Sequence, residues 1–479
     1  MTRLKKIPSS LLLGIANITD VGSALFRGIA LAHLLAPEQF GLAITVSVVA
    51  GIVELITDLG ITPLAVRSNS AKELATLHAI SILRGGIVGF FIIACAPVFA
   101  WTFHTPATTP AYIIVGVSSL IRGFASLDVD ARTRRYDYNP KVICLIVSQI
   151  AWTGTSIIYA SVTHDFLAMA VGVLTFMLTY VATSHILSAQ PWRLAWDQAI
   201  VAESWRYGRL LALNGIANAV SSLGDRALTG AKVGLSQLAH YTALTTSALL
   251  PRAAISRYLG SVYTPHFVNA GHDDRQHISK LWVITVAMIG GTFGFGFIAL
   301  GQPVTALVYG SRYQVDQALV SLVALLGAIR YMGCLPTPPV LAYGKNELLV
   351  RYTTLSMSGL AIGGGLLFIA GRLEYLLIGM CVGEAASLTW LIANFSTVLP
   401  ISKLFIYKTV MGTLFLVAST ALTSSLWDGN DPLLRAAICM TGTVLYAMLM
   451  WTSLVGANCS TTQLLRAVVP SKVARGNAI

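Results

Sequence analysis

Fourteen apolar runs, each close to the length that crosses a bilayer, leave this chain very few folds to choose from. A membrane-spanning helix needs about 20 predominantly apolar residues. Runs of that kind lie near 11–35, 41–65, 79–101, 109–131, 142–162, 166–187, 209–231, 238–262, 281–301, 315–343, 349–370, 374–397, 404–426 and 433–455. Most connections are short, and no loop has room for a soluble catalytic domain. Only 11% of the 479 residues are charged, against about 25% in a soluble globular domain. A water-facing surface could not be built from that supply, whereas lipid accepts an apolar exterior. The expected fold is an all-α polytopic membrane protein with about 14 transmembrane helices.

The distribution of basic residues tests the helix count. With the N-terminus placed in the cytoplasm, 23 of the 32 Lys and Arg fall in or beside cytoplasmic segments. Only Lys232, Arg312, Arg372 and Arg435 fall outside, and Arg27, Arg84, Arg122, Arg226 and Arg330 lie within spans. This is the positive-inside bias, and a wrong helix count would scramble it. It accounts for the net charge of +12 without nucleic acid, because no basic face interleaved with aromatics is present. Both termini are expected in the cytoplasm.

Residues 190–206 break the apolar pattern. Trp192, Trp196 and Ile200 recur every fourth residue with charges between them, the spacing of an interfacial amphipathic helix. The segment separates two related halves: Gly14-Ile15-Ala16-Asn17 opens the first span, and Gly215-Ile216-Ala217-Asn218 recurs early in the seventh. Both spans run outward, which makes a parallel repeat. The expected organisation is an N-lobe of helices 1–6 over 1–189, a cytoplasmic amphipathic linker over 190–208, a C-lobe of helices 7–12 over 209–398, and helices 13 and 14 with a tail over 399–479.

No GxSxG, HExxH or Walker loop occurs, the six cysteines are scattered, and no His/Cys cluster has metal-ligand spacing. Neither a catalytic residue nor a metal is expected. The chemistry lies in ionisable groups inside spans, each of which needs a cavity or a partner. Asn17, Asp20 and Arg27 share a stripe on the first helix; Glu54 and Asp58 sit on the second, Arg122 on the fourth, and Asn214, Asn218, Asp225 and Arg226 on the seventh. Arg330 and Glu384 lie on the tenth and twelfth. At about 1.5 Å per residue, Arg27 and Arg226 stand at one level, roughly 24 to 25 Å above the cytoplasmic ends of their helices. Such charges hold helices together as pairs, or they meet a substrate. Two deep guanidinium groups match phosphate geometry. Pro336, Pro338 and Pro339 should bend the tenth helix. Glycines such as Gly363 are read as sites of close helix packing.

Leu35-Ala36-Pro37-Glu38-Gln39-Phe40-Gly41 resembles the L-x-P-x-x-[FY]-G signature of bacterial polysaccharide flippases, and Asp58-Leu59-Gly60 resembles their D-x-G. Asp225-Arg226, Leu238-Ala239-His240-Tyr241, Pro251, Tyr309-Gly310 with Tyr313, and Ala342-Tyr343-Gly344-Lys345 carry the resemblance through the second half. The family is the oligosaccharide/O-antigen flippase group of the multidrug/oligosaccharidyl-lipid/polysaccharide exporter superfamily. The resemblance implies two six-helix lobes around a central cavity and two further helices. It also implies a polyprenyl-diphosphate-linked oligosaccharide substrate, a bacterial inner membrane, and work beside a polysaccharide polymerase and glycosyltransferases. On this reading Arg27, Arg226, Arg330 and Arg122, with Asn17 and Asn218, line the diphosphate and glycan cavity. Asp20, Glu54 and Asp225 serve coupling or gating to a proton or sodium gradient. A cation-coupled drug exporter of the same superfamily and a membrane glycan polymerase or ligase are the alternatives.

Overall fold

The computed structural model describes residues 9–56, 60–68, 70–135, 137–269, 271–343, 345–395, 399–426 and 432–456. Among them there is no strand. The chain forms α1 (Ser9–Leu34), α2 (Pro37–Ile56), α3 (Ile61–Arg67), α4 (Ala71–Thr102), α5 (Thr109–Arg122), α6 (Asp128–Ala131), α7 (Asn139–Thr163), α8 (Leu167–Ile186) and α9 (Gln198–Lys232). It continues as α10 (Leu235–Asn269), α11 (His272–Tyr309), α12 (Gln317–Met332), α13 (Thr337–Tyr343), α14 (Asn346–Ala370), α15 (Leu373–Phe395), α16 (Lys403–Ile406), α17 (Gly412–Leu426) and α18 (Pro432–Gly456). A π turn over Tyr407–Met411 joins α16 to α17.

Every one of the expected segments carries helix, and ten helices among the described residues are long and apolar enough to cross a membrane. The segments outside that set are α1, α5, α9 and α10. Helix α5 has 14 residues, whereas the sequence read a single span over 109–131. It stops at Arg122, and α6 resumes at Asp128. The helix read over 315–343 likewise divides into α12 and α13. There Pro338 and Pro339 fall in the first turn of α13, where a missing N–H costs nothing. Helices α9 and α10 carry charges along their length, which lowers their apolarity. Each is 35 residues long, far beyond the 209–231 and 238–262 read as spans.

Contacts divide the chain into compact units at Ala239/His240. In the first unit, α4 packs on α5 through facing glycines: a Cβ on Gly85 would stand 2.9 Å from the Gly123 Cα. Helix α9 groups with this unit by packing on α2, where a Cβ on Gly51 would stand 2.8 Å from Leu223 Cδ1. In the second unit, Gly359 and Gly363 of α14 face Gly379 and Gly383 of α15, so closely that Cβ atoms would overlap backbone. These G-x-x-x-G stripes let two backbones approach in the absence of a hydrophobic force between helices.

Residues 191–197 correct the amphipathic-helix reading: they have no regular structure, and helix begins at Gln198. The cause is tertiary. Trp192 leaves the expected face to pack on His78, Phe124 and His185, with ring centroids 5.7, 6.5 and 5.8 Å away. The Ala195 N–H bonds to the Ala75 carbonyl at 3.3 Å. Asp197 then caps α9 by accepting from the Ala199 N–H at 3.0 Å, and it meets Lys72 at 2.7 Å. That lysine and the capping N–H hold the Asp197 carboxyl below the usual carboxylate range.

Candidate functional site

A polar cluster of the first unit is built on α1 and α7. Arg27 is 5% exposed. Its Nη1 donates to Thr153 Oγ1 at 3.3 Å and to Gln149 Oε1 at 3.4 Å. The guanidinium carbon lies 3.6 Å from the Trp152 ring centroid, a cation–π contact that partly replaces lost water. Gln149 turns its amide nitrogen to Asp20 Oδ1 at 2.6 Å. Asp20 thus reaches Arg27 through a neutral amide and not as a direct ion pair. The partners come from α7 because Gln149, Trp152, Thr153 and Ser156 recur at helical spacing on one face. That polar stripe inside an apolar span is legible in the sequence, although only the structure pairs it with Arg27.

The other arginines on α5 and α12 are held differently. Arg122 Nη1 bonds Glu54 Oε1 directly, with both side chains partly open. Arg330 Nε donates to Glu384 Oε1 at 3.1 Å, with both side chains 13% exposed. Arg252 Nε caps the Arg330 carbonyl at 2.8 Å. Arg122 and Arg330 share a local design. Each follows an isoleucine, each closes or nearly closes its helix, and a short helix follows each break. The repeated Ile-Arg pair in the sequence marks this correspondence. Its glutamate partners, far away in the chain, carry no such mark.

Asp225 is buried, and its Oδ1 accepts from the Arg226 backbone N–H at 2.8 Å. Arg226 is half-buried. Asp58 and the side chains of Asn17, Asn214 and Asn218 lie outside the described residues. The signature residues around the second turn of α10 are packing devices. Tyr313 is fully buried between Tyr309 and His240, and His240 Nε2 lies 3.0 Å from the Arg312 carbonyl. Among the described residues no group of His, Cys, Asp and Glu is arranged to hold a metal ion.

A chain of many apolar helices with charge pairs inside its spans and glycine stripes at its helix contacts is a polytopic membrane protein. Residues 30–317 match the family model described as polysaccharide biosynthesis protein. The match covers more than half of the chain, and the chain belongs to that family. It is 21% identical over 404 residues to the succinoglycan biosynthesis transport protein ExoT of Rhizobium meliloti (strain 1021), covering 81% of this chain and 80% of the relative. Its fold is similar to that of the lipid II flippase MurJ in an inward closed conformation: TM-score 0.68, 12% identity, 93% of this chain and 100% of that one. It is also similar to an inward-facing multidrug resistance MATE family transporter of the MOP superfamily: TM-score 0.57, 15% identity, 82% and 99% coverage.

Proposed function

We propose that this chain carries a polyprenyl-diphosphate-linked oligosaccharide from the cytoplasmic to the periplasmic leaflet of a bacterial inner membrane, for O-antigen, capsule or exopolysaccharide synthesis. The observation that carries the reading, beside the family membership, is the contrast among the arginines. Arg122 and Arg330 are neutralised by direct carboxylates. The guanidinium of Arg27 is held by an amide, a hydroxyl and an aromatic face, so its charge remains available to an anion. A phosphate accepts bidentate bonds from such a group.

In this reading helices 1–6 and 7–12 form the lobes, and they rock about the bound headgroup to open first inward and then outward. Arg27 and Arg226 engage the diphosphate, Arg330 and Arg122 assist when their glutamates release them, and Asn17 and Asn218 meet the glycan. Asp20, Glu54 or Asp225 couples the cycle to protons or sodium. Both termini lie in the cytoplasm, where glycosyltransferases supply the substrate, and a polymerase receives it outside.

The test is complementation of surface polysaccharide with quantified membrane protein. Arg27→Ala and Arg226→Ala should abolish export at normal protein levels. Arg27→Lys keeps the charge, loses the fork, and should recover only part of it. Full export by both alanine variants would sink the reading.

A further inference from the structure

A groove of about 480 Å³ runs along the seam of α1 and α7. Gly22, Ser23 and Phe26 line it from α1, and Ile150, Thr153 and Gly154 are among its lining residues from α7. From Ile150 to Ile158 it follows the helix for about 12 Å. Its rims are apolar and open: Phe26 is 60%, Ile150 63% and Ile158 67% exposed. Its concavity arises where side chains are missing, since a Cβ on Gly22 or Gly154 would meet nothing within 4 Å.

The floor differs from the rims. Thr153 lines the groove and also accepts from Arg27 at 3.3 Å. A buried cation thus stands one side chain behind an apolar slot. The two hydrogen bonds of that cation are long, and its Nε and Nη2 make none to a described residue. An alkyl chain alone would use the rims and make no use of the cation. An inorganic anion alone would leave the rims bare. A chain that ends in phosphate answers both. A phospholipid keeps its phosphate at the interface, away from the depth of Arg27, whereas a carrier in transit must take its diphosphate past that level.

We propose that the α1/α7 groove seats the phosphate-proximal isoprene units of the carrier lipid while its diphosphate lies at Arg27. The proposal rests on the functional reading above, which leaves the place of the tail open. Helix α1 then does two things at once, aiming a cation from one face and guiding the tail along the adjoining edge.

The experiment uses the full chain in nanodiscs and a polyprenyl diphosphate bearing a diazirine in an early isoprene unit. Controls are a polyprenol and a phosphatidylglycerol with the same group in their chains. Label from the diphosphate should map to residues 22–26 and 150–158 and be displaced by unlabelled polyprenyl diphosphate. Gly22→Leu and Gly154→Leu, at positions where an added Cβ meets nothing within 4 Å, should fill the groove. Losing even two buried methylenes of contact should lower labelling about tenfold. Phe26→Ala, which opens the groove, checks that the loss comes from filling. Arg27→Ala should lower labelling by the diphosphate and leave the polyprenol unchanged. Saturable label elsewhere on the protein, or equal groove labelling by phosphatidylglycerol, would overturn the groove and leave the functional reading standing. Absence of saturable diphosphate label anywhere would overturn both. Wild-type mapping decides the matter even if a leucine variant fails to fold.

Discussion

Removing Glu384 should destabilise the second unit from within, by an amount the geometry sets. Arg330 Nε and Glu384 Oε1 stand 3.1 Å apart with side chains 13% exposed. At an effective dielectric of about 20, opposite unit charges at that distance attract by about 5 kcal/mol. The desolvation of both groups offsets much of this, so the intact pair contributes little net stability. The asymmetry appears when one partner goes. Glu384→Ala leaves Arg330 charged and largely shielded from water, at a cost of up to about 3 to 5 kcal/mol, the figure for a fully buried pair. That is a large part of the roughly 5 to 15 kcal/mol that holds a typical domain together. Glu384→Ala and Arg330→Ala should each lower the membrane yield and the melting temperature of detergent-purified protein. The apolar double variant Arg330→Met, Glu384→Leu should recover most of both. The assay is fluorescence-detected size exclusion after a heating series, read as a double-mutant cycle. Additive losses, with the double variant worse than either single one, would refute the buried-pair reasoning. Recovered stability without recovered export would show that Arg330 also serves transport.

Other expectations follow from particular contacts. Gly383→Val drives a branched side chain into the backbone of Gly359, so it should cost about 1 to 3 kcal/mol or more by overpacking and reduce folded yield. A cysteine at Asp137 should be labelled only from the cytoplasmic side and one at Gly429 only from outside; the reverse pattern would overturn the orientation. The Asp197 carboxyl is depressed in the folded chain by Lys72 and the Ala199 N–H. Its small contribution is therefore present above the ordinary carboxylate pKa and lost as pH falls through the lower folded value. Asp197→Asn should flatten the acid limb of a pH–stability curve, and an unchanged limb would remove the pair from the account. Trp152→Leu keeps an apolar side chain but loses the ring over Arg27, so it should weaken export more than it weakens folded yield.

Much of the architecture is written in the sequence because a bilayer leaves little choice. Backbone groups in lipid must be satisfied within each segment, so every expected run became helix. The signature residues and the glycine stripes are likewise local patterns, readable along the chain. Tertiary contact decided the rest. The Trp192, Trp196, Ile200 spacing reads as a helix, but Trp192 is drawn into an aromatic pocket and residues 191–197 run without regular structure. The arginines inside spans were visible as isolated charges, while their different fates were not. Sequence spacing places Arg27, Arg122 and Arg330 inside spans and says nothing of what faces them. The partners stand 122 residues away at Gln149, 68 at Glu54 and 54 at Glu384, and helix packing alone brings them near. Whether a buried charge is cancelled by a carboxylate or only held by an amide and a ring depends on that packing, since Coulomb energy falls with distance and rises with exclusion of water.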